Sequence, residues 1–219
     1  MKTTIVIALI IFFSGYVKAE EVGYSPYFQL RSFKSMQFKN IDKQTVDYSC
    51  GAASLAILLS SYFEDKANEL TLLEDIICRL SDNEMEVRYR EGFSMLDLKR
   101  LAERLGYNAT GVKLPYSAAT KLRGPIIVLL KKHKLNHFVV LKGARQGRAF
   151  IADPVAGHIR MPLRELFSVW DGEALILGRT NFGLPREHDL SIPLGKNVAP
   201  EQETTRDLRH TPFNTRKIF

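Results

Sequence analysis

Chemistry in this chain centres on a cysteine, a histidine and an aspartate, in that order. Cys50 ends a polar loop, Gln44-Thr-Val-Asp-Tyr-Ser, and opens an apolar run, Gly-Ala-Ala-Ser-Leu-Ala-Ile-Leu-Leu. A cysteine attacks as its thiolate, and both a helix N-terminus and a neighbouring imidazolium favour that form. The loop-to-helix junction supplies the first through its dipole and its free N–H groups. Gly51 is expected to let a substrate backbone come close. The plainer reading of Cys50 is a buried structural cysteine at a helix start.

Gln44 lies six residues before Cys50 in the same loop. Its side-chain amide, beside the Cys50 N–H, would hold the oxyanion of a tetrahedral intermediate. The base must touch the nucleophile and be fixed in one tautomer by a third group. Of five histidines, His137 begins an apolar strand directly after Asn136, where packing would fix it. His133 sits among Lys131, Lys132 and Lys134, His158 follows a glycine in a turn, and His188 and His210 lie near the C-terminus. Asp153 ends the following strand in Ile-Ala-Asp-Pro, where it would accept the His137 N–H. Taken singly, each has a structural reading: a solvated glutamine, a packed histidine, a turn-forming aspartate. Zinc is the other chemistry these side chains admit. No HExxH or paired CxxC spacing occurs, nor a GxSxG, P-loop or dinucleotide fingerprint, so no metal or cofactor is expected.

These residues need elements to hold them. The run from Cys50 is apolar all round, which predicts a buried helix. A second helix is expected over roughly Leu70 to Leu80. A third follows Gly92, with Ser94 as N-cap, Leu98, Leu101, Ala102 and Leu105 at helical spacing, and Gly106 past its end. Strands are expected at Ala109–Leu114, Pro125–Leu130, His137–Leu141, Arg148–Ala152 and Ala174–Leu177, with a short helix over Leu163–Val169. Gly143, Gln146-Gly147, Pro154 and Gly157 read as turns. Helices first and antiparallel strands after make an α+β domain.

The ends read differently. Met1-Lys2, the apolar stretch Ile5 to Phe13 and Val17-Lys18-Ala19 predict a signal peptide over 1–19, the alternative being an uncleaved N-terminal anchor. Residues 20–39 form a lead-in, 40–180 the domain, and 181–219 an extended or disordered tail rich in Pro, Arg, Glu and Thr. No transmembrane segment is expected in the mature chain. Losing Lys2 and Lys18 lowers the formal charge from +7 to +5. That charge is dispersed, without a basic stripe interleaved with aromatics, so nucleic-acid binding is unsupported. The chain has two cysteines. Exported proteins usually pair them, and a Cys50–Cys78 disulfide would block the nucleophile. Cys78, amid Ile76, Ile77 and Leu80, is instead expected to be buried, reduced and inert.

Gln44-Thr-Val-Asp-Tyr-Ser-Cys50-Gly-Ala-Ala-Ser-Leu resembles the active-site motif of the bacteriocin-processing peptidases, cysteine peptidase family 39. Further segments match in order: Gly92-Phe-Ser with Leu101-Ala-Glu-Arg-Leu-Gly106-Tyr, Asn136-His137-Phe-Val-Val-Leu, Ile151-Ala-Asp153-Pro-Val-Ala-Gly157, and Leu163 to Trp170. The resemblance spans roughly residues 40–180. It implies a papain-like fold, thiol-dependent peptide-bond cleavage, and roles by position: Cys50 nucleophile, His137 base, Asp153 orienter, Gln44 oxyanion donor. The best-known members are fused to a transporter facing the cytoplasm. With a signal peptide expected and no transporter or ATPase segment expected among these residues, action in a periplasm is expected. The expected substrate is an exported protein or peptide, with a role in secretion or surface-fibre systems, including functional amyloid. The competing readings are a catalytically silent module that binds an export substrate, and a transferase passing the acyl group to an amine. Oligomeric state is not legible in the sequence.

Overall fold

The computed structural model describes residues 37–41, 43–132, 135–185 and 187–192. The expected signal peptide, most of the lead-in, and the tail beyond 192 lie outside the described residues. Among the described residues, four full helices precede the strands: α1 Cys50–Ser61, α2 Glu69–Ile77, α3 Asp82–Glu91 and α4 Met95–Arg104. The strands follow: β1 Asn108–Lys113, β2 Ile126–Lys132, β3 Leu135–Arg145, β4 Arg148–Asp153, β5 Gly157–Pro162 and β6 Trp170–Gly178. A 3₁₀ turn, Tyr116–Thr120, precedes β2, and helix α5, Leu163–Val169, precedes β6. The sheet order is β1-β6-β2-β3-β4-β5, with every neighbouring pair antiparallel.

Both sheet faces are covered, which explains the continuous apolar runs of the central strands. Phe138, Val140 and Ala152 join one core with α1, while Val139, Leu141, Ala149 and Ile151 join a second core with Leu166 and Trp170. Alternation along β3 and β4 therefore sends successive residues into opposite cores. Helix α1 is buried along nearly its whole surface, as its composition requires. The Ser54 hydroxyl in its middle is satisfied by donating to the Phe138 carbonyl at 2.9 Å. This bond ties the helix of Cys50 to the strand of His137.

Helix α4 starts as expected. Ser94 caps it in a reciprocal box with Asp97, and Leu98, Leu101 and Ala102 are buried. Leu105 falls past the last turn and is exposed, because the helix stops at Arg104 and Gly106 takes a left-handed φ of +87°. Besides the 3₁₀ turn, two elements were not expected. Helix α3 buries no residue and so has no apolar period, although its Ser81–Glu84 capping box marks its start. Strand β5 pairs with β4 along one edge, and its partly exposed residues carry no clean alternation.

Past β6 the described residues form no helix or strand, yet those within 181–192 do not leave the domain. Phe182 packs on Phe63 with ring centroids 4.8 Å apart, and His188 on Tyr62 at 4.7 Å. Leu190 is 1% exposed within the α1 core. Arg179 anchors the start of this strap through Asp65, with both N–O distances below 2.8 Å. Leu190→Ala should cost about 2–4 kcal/mol in urea unfolding. Leu184→Ala, at a half-exposed position of the same strap, should change stability by less than about 0.5 kcal/mol. Equal small effects would mean that the strap is not docked in solution.

Candidate active site

Cys50 is the first residue of α1 and is buried, 6% exposed. The helical ladder begins with Ala53 N–H donating to the Ser49 carbonyl at 2.9 Å. The first-turn N–H groups of Cys50, Gly51 and Ala52 thus have no helical carbonyl to take them. The preceding loop is pinned to the turn after β4, where the Gln44 N–H donates to the Pro154 carbonyl at 3.1 Å. This bond carries the start of the Cys50 loop to the residue after Asp153.

Asp153 divides its two oxygens. Oδ1 accepts the backbone N–H groups of Val155, at 2.7 Å, and Ala156, at 3.1 Å, which fixes the carboxylate in its turn. Oδ2 lies 3.1 Å from His137 Nε2. Gly157 closes that turn at φ +78°, and a Cβ there would stand 2.4 Å from the Gln37 carbonyl oxygen. Only glycine fits both demands.

An ionised carboxylate only accepts, so His137 Nε2 carries a proton. Cys50 is the ring's other side-chain partner. Burial alone would pull the His137 pKa down, but Asp153 and Cys50 together outweigh it and push it up to about 9. Burial works on Asp153 in the opposite sense, raising its pKa. The His137 ring and the two N–H groups outweigh that and hold the carboxyl below its usual range. The structure thus brings Cys50, His137 and Asp153 into one chain of contacts.

Gln44 lies in the same loop. Its Nε2 donates to the Val46 carbonyl at 2.6 Å. An amide nitrogen has two hydrogens, so one N–H remains for another acceptor. The other histidines lie elsewhere. His158 Nε2 contacts the Lys39 carbonyl at 3.0 Å, His188 packs on Tyr62, and His133 and His210 are outside the described residues.

Two expectations need correction. Gly51 is buried, and a Cβ on it would stand 3.0 Å from both Leu98 methyls and 3.3 Å from Phe138. Its lack of a side chain lets α1 pack on α4 and β3, which is a packing reason and not a substrate one. Cys78 is exposed, not buried, because it caps the end of α2 with its side chain outside the core. Both thiols are free.

The model of the peptidase C39 family matches residues 39–181. The chain belongs to the peptidase C39 family. It is a cysteine peptidase of papain-like α+β fold. A Pseudomonas aeruginosa protein named "Probable functional amyloid protease FapD" is 31% identical to it over 181 residues, covering 83% of this chain and 75% of that one. Among solved structures, a double glycine motif protease from an AMS/PCAT transporter, in complex with the leader peptide, is 30% identical with a TM-score of 0.52, covering 64% of this chain and 91% of that one. The peptidase domain of Streptococcus ComA, a bi-functional ABC transporter, shares the fold at 23% identity and a TM-score of 0.54, over 64% of this chain and 97% of that domain.

The raised His137 pKa has a measurable sign. In an NMR titration the His137 ring should turn over near pH 9, and Asp153→Asn should move the midpoint down towards the ordinary 6.5. Because folding raises this pKa, the stability that His137 contributes is full below pH 6.5 and fades as pH rises through about 9. A wild-type midpoint at or below 6.5 would contradict the contact chain.

Proposed function

We propose that this C39 peptidase cuts an exported protein or peptide by a Cys50–His137–Asp153 mechanism. The observation that carries the reading is the His137 ring held between the Cys50 thiol and the Asp153 carboxylate. The Cys50 thiolate attacks the scissile carbonyl carbon, and the charge moves to the carbonyl oxygen. The free Gln44 amide hydrogen and the Cys50 N–H hold that oxyanion. Imidazolium His137 gives its proton to the leaving amine, the C–N bond breaks, and a thioester on Cys50 remains. Water then enters, His137 takes its proton, and the thioester collapses to a carboxylate and free Cys50. Asp153 keeps the ring in one orientation and supports its positive charge through both steps.

The substrate reading is a component of a functional amyloid or related surface-fibre system. It is supported by the likeness to the FapD protein, which matches over three quarters of that protein's length. The expected signal peptide would bring the enzyme to such a substrate beyond the inner membrane, in a periplasm. A silent binding module would have no need of a histidine with its pKa raised beside a cysteine.

The test is to profile protein N-termini outside the inner membrane in cells carrying the wild-type chain or Cys50→Ala. The proposal expects new N-termini in one or a few exported proteins that are absent with Cys50→Ala and with His137→Ala. Identical profiles, together with a substrate captured equally by wild type and Cys50→Ala, would replace cleavage with binding alone.

A further inference from the structure

Glu69 is a buried carboxylate that the reaction above does not use. It is 3% exposed and is the first residue of α2. An acidic residue there would ordinarily face water and balance the helix dipole. Helix α2 already has its cap, since the Asn68 side chain accepts the Thr71 N–H at 3.0 Å. Glu69 instead turns into the protein and takes hold of the active-site loop. Its two oxygens accept the Thr45 N–H at 3.0 and 2.9 Å. The Ser49 hydroxyl also bonds its carboxylate.

The position of these two contacts gives them meaning. Thr45 directly follows Gln44, and Ser49 directly precedes Cys50. One carboxylate therefore grips the loop beside each of the two groups that must converge on the oxyanion. Inside the loop, the Val46 carbonyl completes the frame. It accepts the Gln44 amide at 2.6 Å and the Ser49 N–H at 3.1 Å, with the Ser49 hydroxyl 2.8 Å away. The Gln44 amide thus has one hydrogen fixed on a carbonyl whose place depends on the same loop.

We propose that Glu69 is a positioning residue for the oxyanion hole, setting the distance between the Gln44 amide and the Cys50 N–H through Thr45 and Ser49. It touches no reacting atom in this account. The inference rests on the reading of Gln44 and the Cys50 N–H as the oxyanion donors. Small displacements of such donors are costly, because they act only when aimed at the developing charge.

Two reactions of the same thiol separate positioning from general damage. Iodoacetamide alkylates Cys50 by displacing iodide and forms no oxyanion. p-Nitrophenyl acetate acylates Cys50 through a tetrahedral intermediate, releasing p-nitrophenolate. The full chain carries Cys78→Ser throughout, since Cys78 is exposed and would also react. Glu69→Ala should slow acylation by about ten- to a hundredfold while alkylation stays within about twofold. Glu69→Gln, which keeps an acceptor for the Thr45 N–H, should recover most of the acylation rate. Ser49→Ala should lower the ratio of acylation to alkylation in the same direction, and it decides the matter if Glu69→Ala does not fold. Parallel loss of both reactions in a folded variant, or loss of neither, would overturn the role of Glu69. A wild-type chain that alkylates rapidly but does not acylate would overturn the oxyanion reading beneath it and the positioning role with it.

Discussion

An imidazole buried on most of its surface must find a partner for each ring nitrogen within the protein, and this requirement governs the site. His137 is only 26% exposed. Burial disfavours its charged form, and a charged imidazole is what the leaving amine of a peptide needs. Asp153 and Cys50 together reverse the balance. The two partners come from different parts of the fold, since Asp153 ends β4 and Cys50 begins α1. Every feature that sets helix α1 against strands β3 and β4 therefore bears on the chemistry.

That docking is specific. Gly51 removes a side chain where α1 meets Leu98 and Phe138, and Ser54 gives its hydroxyl to the Phe138 carbonyl, next to His137. The Gln44 N–H reaches the Pro154 carbonyl, and Gly157 closes the Asp153 turn under the backbone of Gln37. Glu69 then ties the Gln44–Cys50 loop from the other side. The loop is held at its start by the sheet turn, in its middle by its own Val46 carbonyl, and along its length by α2. A nucleophile at a helix N-terminus needs such restraint, because the helix alone fixes Cys50 but not the loop that shares its oxyanion hole.

Much of this was legible in the residues. The all-round apolarity of α1, the Ser94 cap and stripe of α4, and the runs of β2, β3 and β4 each follow from burial, and burial leaves a pattern. The contact of His137 with Asp153 was legible because one ends the strand after the other's. Elements without burial left no such trace. Helix α3 fully buries none of its residues and announced itself only by Ser81 and Glu84, and edge strand β5 lacks alternation. Local neighbours misled for Cys78, which follows two isoleucines yet caps a helix outward, and for Gly51, whose small size serves packing. Glu69 was not legible at all. Next to Asn68 it looks like a helix-start acid, and only the folded loop reveals the donors it meets. The residues after β6 lack periodicity, so the burial of Leu190 was equally hidden.

The most direct test of the His137–Cys50 coupling sets the two thiols of the chain against each other. Cys50 is buried and Cys78 is exposed, so accessibility alone would have Cys78 react first. With a small alkylating agent at pH 6 and mass mapping of each site, activation by His137 predicts that Cys50 is labelled faster than Cys78. It also predicts that His137→Ala reverses the order while the fold persists. Labelling in the order of exposure in the wild-type chain would contradict the account.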